Sequence, residues 1–228
     1  SGAGRIHMYV SNGSAIDDST PTVSQLAGTV AGTSDWGKYT QVILPCVGRE
    51  MLQSGPALTN FLDYVNKGGR AFTTHFSYTW LFENGPLAST AAWQPRQETP
   101  ADPLTATIDT SSKKGSDFAS WLQAVNALSN TMPPQLQISE PRHDLNAIPP
   151  MGGGQRWIYS DDPATVQHYT IDTPVAAPPD QLCGRVVFSD FHVLNATTRG
   201  LTFPEECDSE PLSAQERVLE FMLFDLAS

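Results

Sequence analysis

Apolar residues recur along this 228-residue chain with two different periods, and the changes of period mark out its elements. Leu58, Phe61, Leu62 and Val65 fall at i, i+3, i+4 and i+7, the stripe of a helix lying on a core, and Gly68-Gly69 supplies its left-handed stop. Arg70 to Ser77 then reads as a strand. Upstream, Gln41 to Pro45 is a nearly all-apolar run, the pattern of a strand covered on both faces, with Cys46 at its carboxyl end. Arg5 to Ser11 reads as a first strand with His7 inside it as a structural residue, and Thr22 to Val30 as a short helix. The resulting β-α-β-α-β order predicts an α/β fold with a doubly wound, mostly parallel sheet between two helical layers.

Beyond Tyr78 the pattern loosens, and residues 79–155 read as an insertion in a single domain covering residues 1–228. Within it, Leu104 to Thr110 and Gln135 to Ser139 are strand-like. Phe118, Trp121, Leu122 and Val125 give a helical stripe, with Ser116 or Asp117 as its cap. Gly152 to Gly154 lacks both a preceding apolar strand and a following Lys-Ser/Thr, so it is a turn and not a phosphate loop. Arg156 to Ser160 and Val166 to Ile171 form a hairpin about Asp161-Asp162-Pro163. Arg185 to His192 is the last strong strand, with Val186, Phe188, Asp190 and His192 on one face by alternation. Ser213 and Glu216 form a capping box ahead of a closing helix buried through Leu219, Met222, Leu223 and Leu226.

Composition narrows the partners. Thirteen Lys and Arg against 24 Asp and Glu give a formal net charge of -11, which argues against a nucleic-acid backbone or an anionic membrane surface. No apolar run reaches the roughly 18 residues needed to span a bilayer, so no membrane insertion is expected. Charged residues make up only 16% of the chain beside abundant Ser, Thr, Pro and Gly, a composition that points to an exported module, periplasmic, cell-surface or extracellular. The N-terminus lacks the basic and apolar parts of a signal peptide, so the sequence is expected to begin inside a longer protein. In an oxidising compartment Cys183 and Cys207 are the expected disulfide, worth roughly 3 kcal/mol, and Cys46 is the odd cysteine. In a reducing compartment all three are thiols.

Three stretches carry a family resemblance: Asp63-Tyr-Val-Asn-Lys-Gly-Gly-Arg-Ala-Phe-Thr-Thr-His75, Val42-Ile-Leu-Pro45 before it, and Gly184-Arg-Val-Val-Phe-Ser-Asp-Phe-His192 far downstream. Together they resemble the class I glutamine amidotransferase-like superfamily, in its ThuA-like branch linked to trehalose utilisation. The Cys-Gly-Arg-Val-Val strand and the terminal helix are also similar to modules of large exported myxobacterial proteins. The resemblance implies a flavodoxin-like three-layer scaffold and a binding or assembly role in a multi-domain protein, directed at carbohydrate or at the parent protein's other domains. It departs at the chemistry. Amidotransferases carry a catalytic Cys in a Gly-x-Cys-x-Gly elbow where this chain has Thr74-His75-Phe76-Ser77, so glutaminase activity is not expected. Nor is there a Gly-x-Ser-x-Gly elbow for an ordinary α/β-hydrolase.

Strand ends are where open α/β sheets gather ligands. On the expected sheet Cys46, His75, Ser77, Asp190 and His192 share that edge. Cys46 with His75 or His192, oriented by Asp190, supplies the residue types for acyl transfer, which makes a hydrolase the alternative to a binding module. A Cys after an apolar strand is otherwise a small buried hydrophobe or half of a disulfide. His75, His192 and Asp190, with His143 or Asp144, are also types that zinc accepts, but no diagnostic spacing joins them, and neither metal nor cofactor is expected. His143 and His168 read as surface or salt-linked residues. Tyr78, Trp80 and Trp93, beside Ser77, are the candidates for a sugar-stacking surface.

Overall fold

Thr22 opens the first helix, α1 (Val23–Ala27), with a capping box: Thr22 Oγ1 accepts the Gln25 amide and Gln25 Oε1 accepts the Thr22 amide. The apolar run that follows becomes strand β1 (Gln41–Leu44), and the Leu58 stripe becomes α2 (Gly55–Asn66), capped by Ser54. Its buried face is Ala57, Asn60, Phe61, Tyr64 and Val65, with Leu58 and Leu62 at its margin. The helix ends at Lys67, and Gly68 takes the left-handed φ of 97° that turns the chain into β2 (Arg70–Thr74). Then come α3 (Gly85–Ala88), β3 (Leu104–Ile108), α4 (Lys113–Ala124), β4 (Gln135–Ile138), the hairpin β5 (Gly154–Asp161) and β6 (Ala164–Thr173), β7 (Gly184–Ser189) and α5 (Ala214–Ala227). This computed structural model describes residues 4–11, 17–150, 152–191, 193 and 211–227.

All seven strands lie in one sheet of order β1-β2-β7-β6-β5-β3-β4. Only β1, β2 and β7 run parallel, in register Leu44 to Thr73 and Thr73 to Phe188; the other four pairings are antiparallel. The sheet is therefore mixed and curls into a half-barrel with few helices, which corrects the expected three-layer doubly wound parallel fold. Connection length is the physical reason. The two residues Asp162-Pro163 join β5 to β6 and can only make a hairpin, and residues 174–183 between β6 and β7 hold a single 3-10 turn where a parallel crossover needs a helix. The segment read as an insertion supplies two strands of the same sheet, β3 and β4.

Two cores flank the sheet. One, beneath α1 and α2, gathers Trp36, Phe61, Val65, Tyr78, Tyr169, Val186 and Phe188, and the other, beneath α4 and α5, gathers Phe118, Leu122, Trp157, Val187 and Met222. Three further expectations are corrected. Arg5 to Ser11 is not a strand: Val10 alone makes a bridge, to Thr22, while Ile6 and Met8 are 88% and 47% exposed, so the alternation has no core to face. Ser112, not Ser116 or Asp117, caps α4, its hydroxyl accepting the Gly115 amide at 3.0 Å. The β2 strand stops at Thr74, where residues 75–80 wind into a 3-10 turn.

Candidate functional site

The parallel pairing of β1 with β2 puts their carboxyl ends side by side, so whatever follows Leu44 meets whatever follows Thr74. Pro45-Cys46 leaves β1. His75 leaves β2 at a φ of +56°, the left-handed region that a non-glycine residue rarely occupies. That backbone turn aims the imidazole back across the sheet edge, and His75 Nδ1 lies 2.9 Å from Cys46 Sγ. The Gly48 amide also donates to the sulfur, at 3.4 Å, from a loop that Gly48 bends at a φ of 76°. Ser77 ties the two strand ends together, its hydroxyl donating to the Pro45 carbonyl at 2.8 Å, and Thr74 Oγ1 donates to the Phe191 carbonyl at 2.5 Å. Strain held in place by packing on both sides is the pattern found where geometry serves a function.

A pocket of about 490 Å³ opens beside this pair. Segment 5–9 and β1 form its walls, Val23 and Leu26 of α1 contribute to it, and it reaches Cys46, Ser77 and Trp80. Its volume suits a small ligand or a short stretch of polymer.

Asp190 directly follows Ser189, the β7 residue paired with Thr74, so it too lies at the carboxyl end of a neighbouring strand. It is fully buried, its Oδ2 accepts the Asp144 amide at 2.8 Å, and its backbone carbonyl accepts the Arg142 amide. Among the described residues Oδ1 has no partner. Burial, reinforced by the neighbouring Asp144 charge, holds the Asp190 carboxyl well above the usual carboxylate range. Asp144 in turn takes a two-pronged ion pair from Arg142, at 2.6 and 3.0 Å, and the Arg96 amide at 2.8 Å. The Arg142 guanidinium lies 4.2 Å from the centre of the Phe76 ring, and that ring meets the His75 imidazole edge-on. The Asp190 side chain thus belongs to a buried cluster with Asp144 and Arg142, and Phe76 touches both Arg142 of that cluster and His75. That cluster was visible beforehand as the polar run Glu140-Pro-Arg-His-Asp144, though not its partnership with Asp190.

The remaining candidates divide plainly. Ser77 is a structural tie. Tyr78 and Trp80, 0% and 4% exposed, are core residues, Trp80 packing on Trp36 and Phe61, and Trp93 is half-buried against Tyr78, Tyr169 and Phe188. Trp80 reaches only the floor of the pocket, and the three rings do not form one exposed surface. His192 and Cys207 lie outside the described residues. Cys183 carries a free thiol directed at the Asn66 carbonyl, so the expected Cys183–Cys207 disulfide is not formed. His143 binds Asn146 and the Ala164 carbonyl. His168 is no surface residue: it is fully buried on β6, its Nδ1 2.6 Å from Ser189 Oγ, and desolvation lowers its pKa to about 3. Among the described residues no three His, Cys, Asp or Glu side chains gather as metal ligands, and no helix is long and apolar enough to cross a membrane.

No family model matches the chain, and no curated protein matches it either.

Proposed function

We propose that this protein is a thiol-dependent acyl-transfer or hydrolytic module in which Cys46 is the nucleophile and His75 its general base. The observation that carries the reading is the 2.9 Å contact between Cys46 Sγ and His75 Nδ1 at the carboxyl edge of the parallel strands. The amidotransferase-like resemblance bears on it at one point. That family's nucleophile elbow corresponds to the turn after β2, where this chain keeps the elbow-like backbone but puts a histidine, and the thiol comes instead from the neighbouring strand end.

The chemistry closes on itself. His75 takes the thiol proton as Cys46 Sγ bonds to the acyl carbon, and the leaving amine or alcohol departs with that proton. Water then attacks the thioester carbon, giving one proton to His75, which passes it to the departing Cys46 sulfur, while the acid product keeps the other. The Gly48 amide donates to the same sulfur and helps to fix its position. Asp190 is given no part in these steps.

The test is acylation by p-nitrophenyl acetate. The reading expects a burst of p-nitrophenolate equal to the protein concentration, with the acetyl group found on Cys46 by mass spectrometry and no burst from Cys46→Ala. Acetylation confined to lysines, or an equal burst from Cys46→Ala, would refute it.

A further inference from the structure

An end strand leaves one row of backbone groups unmade, and here that row faces the pocket. β1 pairs with β2 alone. Because the Arg70 amide donates to the Thr40 carbonyl, the parallel ladder turns the peptide groups of Thr40, Val42 and Leu44 inward and those of Gln41 and Ile43 outward. Among the described residues no backbone group meets the outward ones. Across the pocket, segment 5–9 is in the same condition: among the described residues its amides bond no backbone carbonyl until Val10, which pairs with Pro21 and Val23. Both long walls of one groove thus carry peptide groups that no other backbone group among the described residues pairs.

The side chains narrow the occupant further. Ile6, Met8 and Ile43, 88%, 47% and 54% exposed, stand along the walls. In a chain of net charge -11 the lining holds no carboxylate, and Arg5 is its one charged side chain. A lipid tail would leave the backbone rows unpaired, and a cation would find no counter-charge. A peptide matches on every count, since it alternates donors and acceptors at the spacing of Gln41 and Ile43 and carries apolar side chains to the walls.

Resting on the reading of Cys46–His75 as an acyl-transfer pair, we infer that the substrate is an extended, uncharged, apolar peptide segment that adds as a strand to the outer edge of β1. Cys46 lies three positions beyond Ile43, about 10 Å at strand rise, so the reacting carbonyl belongs two or three residues beyond the one paired with Ile43. Recognition accordingly requires about four residues.

Two measurements separate the groove from the nucleophile. In the first, the unreactive peptide acetyl-Val-Ala-Val-Ala-amide is titrated into ¹⁵N-labelled protein. The inference expects saturable shifts of the Gln41 and Ile43 amides, lost when alternate peptide amides are N-methylated. Shifts that ignore N-methylation, or that follow protein concentration as edge pairing between two copies would, overturn it. In the second, acetyl-Val-Ala-Val-Ala chloromethyl ketone is compared with the acetyl-Ala reagent. In each reaction a carbon–sulfur bond forms at Cys46, chloride leaves and His75 takes the thiol proton. The longer reagent is expected to label Cys46 at least 10-fold faster, and equal rates overturn the inference. Ile43→Pro, which removes an outward amide and leaves the β1–β2 ladder intact, is expected to erase that ratio. If iodoacetamide fails to label Cys46 while the amide shifts persist, the nucleophile reading fails and the peptide groove stands.

Discussion

His75 carries two burdens that a single residue rarely carries together. Its backbone sits in the left-handed region at a φ of +56°, and its imidazole is engaged with a thiol from another strand. A glycine would relieve the first and lose the second, which is why the residue type, and not only the turn, points to chemistry. Asp190 and His168 show the opposite case, titratable groups whose burial decides their charge. With its carboxyl raised, Asp190 adds to stability below its unfolded value of 3.8, and that contribution is lost as pH rises through the folded value. Asp190→Asn is therefore expected to raise the urea midpoint at pH 7, with the gain shrinking toward pH 4; a loss of stability at both pH values would contradict this. His168, neutral in the fold with its pKa near 3, works the other way: its contribution is complete above 6.5 and falls with pH between 6.5 and 3, by about 1.4 kcal/mol per unit. His168→Gln should flatten that acid limb of the stability curve, and an unchanged limb would assign it to other groups.

Among the elements, the helix caps are a sharp check on what local sequence can and cannot tell. Ser112→Ala is expected to cost about 1 kcal/mol in urea unfolding, because its hydroxyl holds the first turn of α4, whereas Ser116→Ala should cost much less. The reverse ranking would restore the later helix start. The apolar stripe from Phe118 to Val125 was legible in the sequence, but its beginning was not: Lys113 to Gly115 add no apolar residue to the period, so only the cap bond reveals them. α2, β2 and the β5–β6 hairpin were readable from their patterns and the turn residues at their ends, whereas β1 was found as an apolar run whose expected cover on both faces fails at Ile43, 54% exposed. Arg5 to Ser11 misled because alternation records strand preference and not the presence of a partner strand. At its exposed end the pattern has no layer to bury against, and it becomes a wall of the pocket.

At the scale of the whole molecule, strand order was hidden. Periodicity describes each strand by itself, while the order β1-β2-β7-β6-β5-β3-β4 depends on which connections are too short to cross over. The Cys46–His75 contact needs only the local parallel pair β1 and β2, whereas the bond from the Asp144 amide to Asp190 depends on the path of the 140–144 segment over the sheet. The free thiol of Cys183 gives a global prediction: a reducing agent should leave the unfolding midpoint unchanged, where a bridge closing residues 183–207 would take away roughly 3 kcal/mol. The most direct test of the central claim is the rate at which iodoacetamide alkylates each cysteine, resolved by peptide mass spectrometry, in wild type and His75→Gln. Accessibility alone favours exposed Cys183 over half-buried Cys46. The Cys46–His75 pair predicts the reverse, Cys46 reacting at least 10-fold faster and losing that advantage in His75→Gln; a Cys46 slower than Cys183, or indifferent to the loss of His75, would contradict it.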